Sequence, residues 1–160
     1  MLSGGEIQVN DATLLSKQLL QNAFTCGASD IHFYPLPKST DIYFRVHGKR
    51  TLHETLTAEQ YTVLLTFYKF TSGMDIGEIR KPQNGTLEMR DPATQFRYSL
   101  RLSTLPTSNT ESLAIRILPQ DGQYDLNKLF LFPNQLNIVM NWLSMKSGLI
   151  LFTGPTDNVM

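Results

Sequence analysis

Phe96-Arg-Tyr-Ser-Leu-Arg-Leu-Ser103, followed after a polar loop by Leu113-Ala-Ile-Arg-Ile117, decides the fold class of this 160-residue chain. In the first stretch Phe96, Tyr98, Leu100 and Leu102 alternate with Arg97, Ser99, Arg101 and Ser103. In the second, Leu113, Ile115 and Ile117 alternate with Ala114 and Arg116. Period two marks strands with one buried face. The two aliphatic sets must share that face, so Arg101 and Arg116 emerge together on the other. A symmetric turn centred near Asn109 makes them cross-strand neighbours. Like charges directly opposite cost a few tenths to about 1 kcal/mol, and a shared anion removes that penalty. Arginine's planar fork suits phosphate oxygens. The alternative is that both arginines point into solvent or pair with Asp and Glu. Arg97 shares their face and either extends the patch or is solvated.

Working outward, the same logic places further elements. Asp11 can cap a helix over about 12–25, with Leu15, Leu19 and Ala23 as its apolar stripe and Gly27 ending it. Residues 1–10 are expected to fray. Ile31 and Phe33, then Ile42, Phe44 and Val46, mark two strands. His47-Gly48 turns into a short strand near 50–55. Thr57-Ala-Glu-Gln60 is a capping-box pattern opening a helix with Tyr61, Leu64, Leu65 and Tyr68 inward, which Gly73 ends. Residues 74–82 read as an ordered loop that Ile76 and Ile79 pin to the core. Gln83-Asn84-Gly85 opens an antiparallel meander with a strand at 86–90 and a turn at Asp91-Pro92.

Residues 120–132 read as a linker carrying Leu126, Leu129, Leu131 and Phe132. Pro133 suits the first turn of a helix with Leu136, Val139, Met140 and Leu143 as its buried stripe. Leu149–Phe152 is a continuous apolar run, as in a strand covered on both faces. It leads into Thr153-Gly-Pro-Thr156, the opening of a phosphate-binding loop. Such a loop continues to G-x-x-x-x-G-K-[ST], which supplies backbone N–H groups, a lysine and a magnesium-binding hydroxyl. Asp157-Asn-Val-Met160 follow instead, so the chain alone is expected not to hydrolyse ATP.

Lys plus Arg and Asp plus Glu number 14 each. That balance gives no charge field for direct nucleic-acid binding, although it leaves room for a local basic face. No apolar run is long enough to cross a bilayer, and no secretory leader is visible. The single cysteine, Cys26, excludes an internal disulfide framework and a cysteine zinc cluster, and reads as a small buried residue. His32 falls on the polar side of its strand, and His47 and His53 show no metal-ligand spacing. Asp30 reads as a turn cap, because no nucleophile or second carboxylate accompanies it. No catalytic or metal-binding residue is assigned.

Several segments closely resemble the secretion and pilus traffic ATPases, which power type II secretion and type IV pilus assembly. They are Ala28-Ser-Asp-Ile-His32, Phe44-Arg-Val-His-Gly48, Arg80-Lys-Pro-Gln-Asn-Gly85, Arg101-Leu-Ser-Thr-Leu-Pro106, Glu111-Ser-Leu-Ala-Ile-Arg116 and Gly148-Leu-Ile-Leu-Phe-Thr-Gly-Pro-Thr156. The Met74-Asp-Ile-Gly-Glu stretch looks most like the competence ATPase of Gram-positive bacteria. The resemblance implies an α+β fold. Residues 1–11 would be a disordered N-terminus and 12–118 a PAS-like N-terminal domain, an antiparallel sheet with flanking helices. Residues 119–132 would be a linker, and 133–160 the first helix and strand of a RecA-like motor domain whose remainder is missing. It implies that Arg101 and Arg116 reach the terminal phosphates of a nucleotide, with ATP and Mg as cofactors of the complete protein. Gly154, Pro155 and Thr156 would belong to an incomplete phosphate loop, and Leu129 and Phe132 would border the base. The implied partners are further copies, a hexamer in the family, and a membrane platform protein of a pseudopilus machine for DNA uptake. The implied location is cytoplasmic, at the inner face of the membrane. His47 departs from the family's usual Asp, and Asp157–Met160 depart from its Gly-Ser-Gly-Lys. A stand-alone PAS-like binding or scaffold module, or an inactive truncated product, is the alternative.

Overall fold

In the computed structural model, which describes residues 4–108, 110–120, 132, 134–151 and 153, the first helix starts well before its capping signal. Helix α1 spans Gly4–Thr25, so residues 4–10 are helical and Asp11 lies in the interior of the helix rather than at its cap. Its described inward residues are Ala12, Ser16, Leu19, Leu20 and Ala23. At its end, Ala28 N–H donates to Ala23 O at 2.9 Å and Gly27 N–H to Phe24 O at 3.1 Å. With Gly27 at φ +67, this is the Schellman arrangement, in which glycine adopts the left-handed conformation without a Cβ penalty.

Strands β1 (Asp30–Pro35), β2 (Ser39–Val46) and β3 (Lys49–Thr57) form an antiparallel meander. The β2–β3 link is the two-residue turn His47-Gly48, with φ of 49 and 77. Positive φ at both central positions matches the right-handed twist of a tight hairpin. Helix α2 (Ala58–Thr71) opens with the expected reciprocal cap, Gln60 N–H to the Thr57 hydroxyl at 3.2 Å and Thr57 N–H to Gln60 Oε1 at 2.9 Å. It closes with the same glycine motif as α1, Met74 N–H reaching Lys69 O at 2.8 Å.

A second meander follows: β4 (Gln83–Arg90), β5 (Arg97–Pro106) and β6 (Glu111–Pro119). β6 pairs with β1, giving one six-stranded antiparallel sheet in the order β3-β2-β1-β6-β5-β4. Both helices cover one face. Leu19, Leu20 and Ala23 of α1, with Tyr61, Leu64, Leu65 and Tyr68 of α2, join Ile31, Phe33, Ile42, Phe44, Leu100, Leu102, Leu113, Ile115 and Ile117 in a single core. Phe96 does not join the alternation. Positive φ at Gln95 breaks the strand before it, and Phe96 is 52% exposed. Cys26 is also exposed rather than buried.

The loop after α2 is held by polar groups, which corrects the expected role of Ile76 and Ile79: both are exposed. The Gln83 side chain accepts from Asp75 N–H at 2.8 Å and donates to the carbonyls of Asp75 and Glu78 at 2.9 Å each. Lys69 Nζ donates to Glu78 O at 2.8 Å and to Glu111 Oε2 at 2.7 Å. Lys69 and Glu111 are each only 2% exposed, so they form a buried ion pair that ties α2 to the first residue of β6.

Residues 121–160 form a separate unit from 1–120. Its helix α3 spans Gln135–Leu143 and buries none of its side chains. The expected stripe is therefore not covered: Met140 and Leu143 are exposed, and Leu136 and Val139 are half-buried. Leu149–Leu151 form no strand, and Leu149 is 82% exposed. A parallel strand exists only by pairing, and no described strand pairs with it. Phe152 lies outside the described residues.

Two stability outcomes follow from this packing. A Cβ built on Gly85 would lie 2.6 Å from Ser72 Oγ and 2.8 Å from Ser72 O, so Gly85→Ala is expected to destabilise the fold by about 1–3 kcal/mol in urea titration. Lys69→Ala strands the Glu111 carboxylate and is expected to cost about 3–5 kcal/mol, whereas Lys69→Met with Glu111→Leu recovers most of it. Equal losses in the single and double variants would contradict the ion-pair account.

Candidate functional site

The sheet face away from the helices is built from the residues that alternate with the core. Direct cross-strand partners run across it in one row: Arg50 on β3, Arg45 on β2, Asp30 on β1, Arg116 on β6, Arg101 on β5 and Thr86 on β4. Direct partners point to the same face. Arg101 and Arg116 are thus neighbours, as the alternation implies; Asn109 itself lies outside the described residues. Beside this row lies a second, with His32 on β1, Ala114 on β6, Ser103 on β5 and Asn84 on β4.

Between the two rows is an open groove of about 490 Å³. Asp30, His32, Asn84, Thr86, Arg101, Ser103 and Arg116 are among its lining residues. It brings two guanidinium groups, an amide and two hydroxyls to one place. Arg97 lies four residues before Arg101 on β5, opposite Arg90, and does not line the groove. A second hollow of about 570 Å³ belongs to the unit 121–160. Among the described residues it is lined by Trp142, Leu143, Met145 and Leu149–Leu151, with Lys146 as the one charged side chain. Convergent polar groups, the mark of a binding site, are found in the first hollow rather than the second.

Asp30 is the residue whose role sequence reasoning missed. It is 4% exposed and caps no turn. Arg116 Nε donates to its Oδ1 at 3.0 Å, and Arg45 Nε lies 3.2 Å from Oδ2. The Ser29 hydroxyl also donates to Oδ2, at 2.9 Å. Burial by itself would raise the Asp30 carboxyl. Hydrogen bonds from Arg116 and Ser29, with the charges of Arg116 and Arg45, outweigh it and hold the group below 3.8. Arg116 therefore has a carboxylate partner, whereas Arg101 has none among the described residues. His32 Nε2 is buried without a hydrogen-bond partner. Burial, then the charge of Arg50, holds its pKa below 6.5, with Asp30 acting in the opposite sense.

Among the described residues no three of His, Cys, Asp and Glu gather as a metal site. No described helix is long and apolar enough to cross a membrane. Gly154, Pro155, Thr156 and Leu129 lie outside the described residues. Phe132 belongs to the second unit and is 67% exposed.

Residues 8–158 match the family model described as Type II/IV secretion system protein. Competence protein ComGA of Bacillus subtilis is 41% identical over 144 residues, which are 90% of this chain and 40% of that protein. Type IV pilus assembly ATPase PilB of Acinetobacter baylyi is 34% identical over 142 residues, 88% of this chain and 24% of that protein. The chain thus spans less than half the length of these relatives. The X-ray structure of the Legionella pneumophila ATPase DotB superposes with a TM-score of 0.52, covering 79% of this chain and 34% of that one. At 17% identity this likeness is one of fold.

The shifts at His32 and Asp30 set a pH dependence. Both folded-state values are lowered, so the unfolded chain binds more protons below about pH 6.5 and again below about pH 3.8. Stability is full above these values and falls as pH drops through them. The melting temperature should decline between about pH 7 and pH 5 in the parent and flatten in His32→Asn, while Asp30→Asn removes part of the loss at lower pH. An unchanged slope in His32→Asn would contradict the assignment.

Proposed function

Because the chain belongs to the Type II/IV secretion system protein family, the secretion and pilus traffic ATPases, we propose that residues 12–118 are the PAS-like N-terminal domain of such a motor protein. In this reading Arg101 and Arg116 reach the terminal phosphates of ATP held by a RecA-like motor domain. One observation carries it: the two arginines are direct cross-strand partners on the sheet face opposite α1 and α2. Phosphoryl transfer spreads charge over the oxygens of the transferred group, and positioned guanidinium groups stabilise that charge. Strand-borne arginines suit this role, since their backbone does not reorganise as charge develops.

The fit of the groove supports the same reading. Two guanidinium groups with Asn84, Thr86 and Ser103 beside them offer donors to an oxyanion. Magnesium, when bound with the nucleotide, neutralises phosphate oxygens. The carboxylate lining this groove, Asp30, has both oxygens engaged by arginines, so the metal's protein ligands are assigned elsewhere. The 160 residues contain no complete G-x-x-x-x-G-K-[ST] pattern, and no turnover is assigned to them alone. In the complete protein, closure of the domain on ATP and its opening after hydrolysis would drive a hexamer that works on a membrane platform protein. In this reading the work is pseudopilus assembly for DNA uptake, at the cytoplasmic side of the membrane; a competence protein and a pilus assembly ATPase among the similar proteins support it.

The test is a hybrid in which residues 8–118 of this chain replace the matching segment of the Bacillus subtilis competence protein. Arg101→Ala and Arg116→Ala are each expected to lower kcat for ATP by about 100-fold or more, with Arg→Lys variants in between. The unmodified 160-residue chain is expected to show no turnover. Unchanged kcat in both alanine variants would reject the phosphate role and leave a scaffold module as the better reading.

A further inference from the structure

Asp30 is the one acidic member of a row that otherwise contributes Arg50, Arg45, Arg116 and Arg101 from neighbouring strands. A buried carboxylate is costly unless its oxygens are paired, and here each oxygen faces a different arginine. The two arginines differ in how they are held. The Arg45 side chain is 23% exposed, whereas that of Arg116 is 62% exposed. At that exposure the 3.0 Å bond from Nε to Asp30 is a direct restraint on the plane of the Arg116 fork. Bonding at Nε restrains that plane, while the two terminal amino groups are the donors that recognise an oxyanion in fork geometry.

We propose that Asp30 is a positioning residue that pre-orients Arg116 beside Arg101 for an incoming phosphoryl group. Its negative charge also offsets the repulsion within the arginine row, so the pair stands assembled before any anion arrives. This rests on the reading that Arg116 meets a phosphate. It adds that the carboxylate, which touches no phosphate, determines how well Arg116 works.

Two measurements decide it. In the intact 160-residue chain, the Nε–H resonance of Arg116 should be slowly exchanging and low-field by NMR. Asp30→Asn should abolish that signature while the backbone spectrum stays folded. A resonance unmoved by the substitution overturns the proposal. In the hybrid motor, Asp30→Asn should lower kcat roughly 10-fold without raising KM for ATP, because a negative charge near the polyanion is removed as orientation is lost. In the Arg116→Ala background the same substitution should cost less than about 2-fold, since the two residues act as a unit. Asp30→Glu should retain part of the rate. An equal loss in both backgrounds overturns the proposal, because Asp30 would then act on the fold rather than through Arg116. If Arg116→Ala alone leaves kcat unchanged, the phosphate reading has failed and the role of Asp30 falls with it. That result differs from the equal-loss outcome.

Discussion

The register of β5 against β6 leaves no freedom in where Arg101 and Arg116 go. In that register Leu100, Leu102, Leu113, Ile115 and Ile117 all lie against the helices, each at most 6% exposed. A slip of one residue would turn every one of them to solvent. Burying each is worth about 1.5–3 kcal/mol, whereas two like charges placed opposite cost at most about 1 kcal/mol. Core burial wins by a wide margin, so the arginines are forced together. Their mutual repulsion is small, but it is fixed in place, and an oxyanion between them relieves it. The chemistry of the outer face is in this sense a consequence of the packing of the inner one.

Rigidity comes from the same helix on both sides of the hairpin. Glu111 begins β6; its carboxylate meets Lys69 and its carbonyl accepts from the Tyr61 hydroxyl at 2.7 Å. Lys69 also holds Glu78 O, in the loop that leads to β4. Gln83, the first residue of β4, folds back on that loop, and Gly85 lets β4 approach Ser72 at the end of α2. The strands flanking β5 are therefore both anchored to α2. An arginine pair on such a frame loses little backbone entropy on meeting a ligand, because that entropy was already lost on folding.

What the sequence reveals and conceals follows from the range of each signal. Alternation, the capping box at Thr57 and Gln60, and the turn at His47-Gly48 are local, and, Phe96 excepted, each appears in the structure where the residues place it. The site's two arginines were legible because period two assigns a face without knowledge of any partner. Asp30 was not, since its partners Arg45 and Arg116 are brought to it only by strand pairing, the latter 86 residues away. Asp11 is a good cap and also a tolerable interior residue, so local propensity does not say which. Ile76 and Ile79 show that an apolar residue in a loop need not be its anchor; here an amide, Gln83, does the holding. The stripe of α3 and the run Leu149–Phe152 show which residues favour burial and are silent on what covers them.

Charge distribution adds a last step. Fourteen basic and fourteen acidic residues cancel over the whole chain, yet one row of the sheet concentrates four arginines around one carboxylate. A neutral chain exerts little long-range pull on a polyanion, and surface charges are screened beyond about 8–10 Å at physiological salt. Capture of free nucleotide from solution is therefore not what this face is built for. At short range the balance changes. The row is strongly cationic, its arginines are placed by strand register, and Asp30 already restrains one of them. Such a face is poorly suited to finding a phosphate and well suited to completing the coordination of one already held by another domain. In the proposed reading, closure brings that held phosphate within reach, and the missing long-range attraction then helps discrimination: the groove contributes only when the partner domain presents its nucleotide.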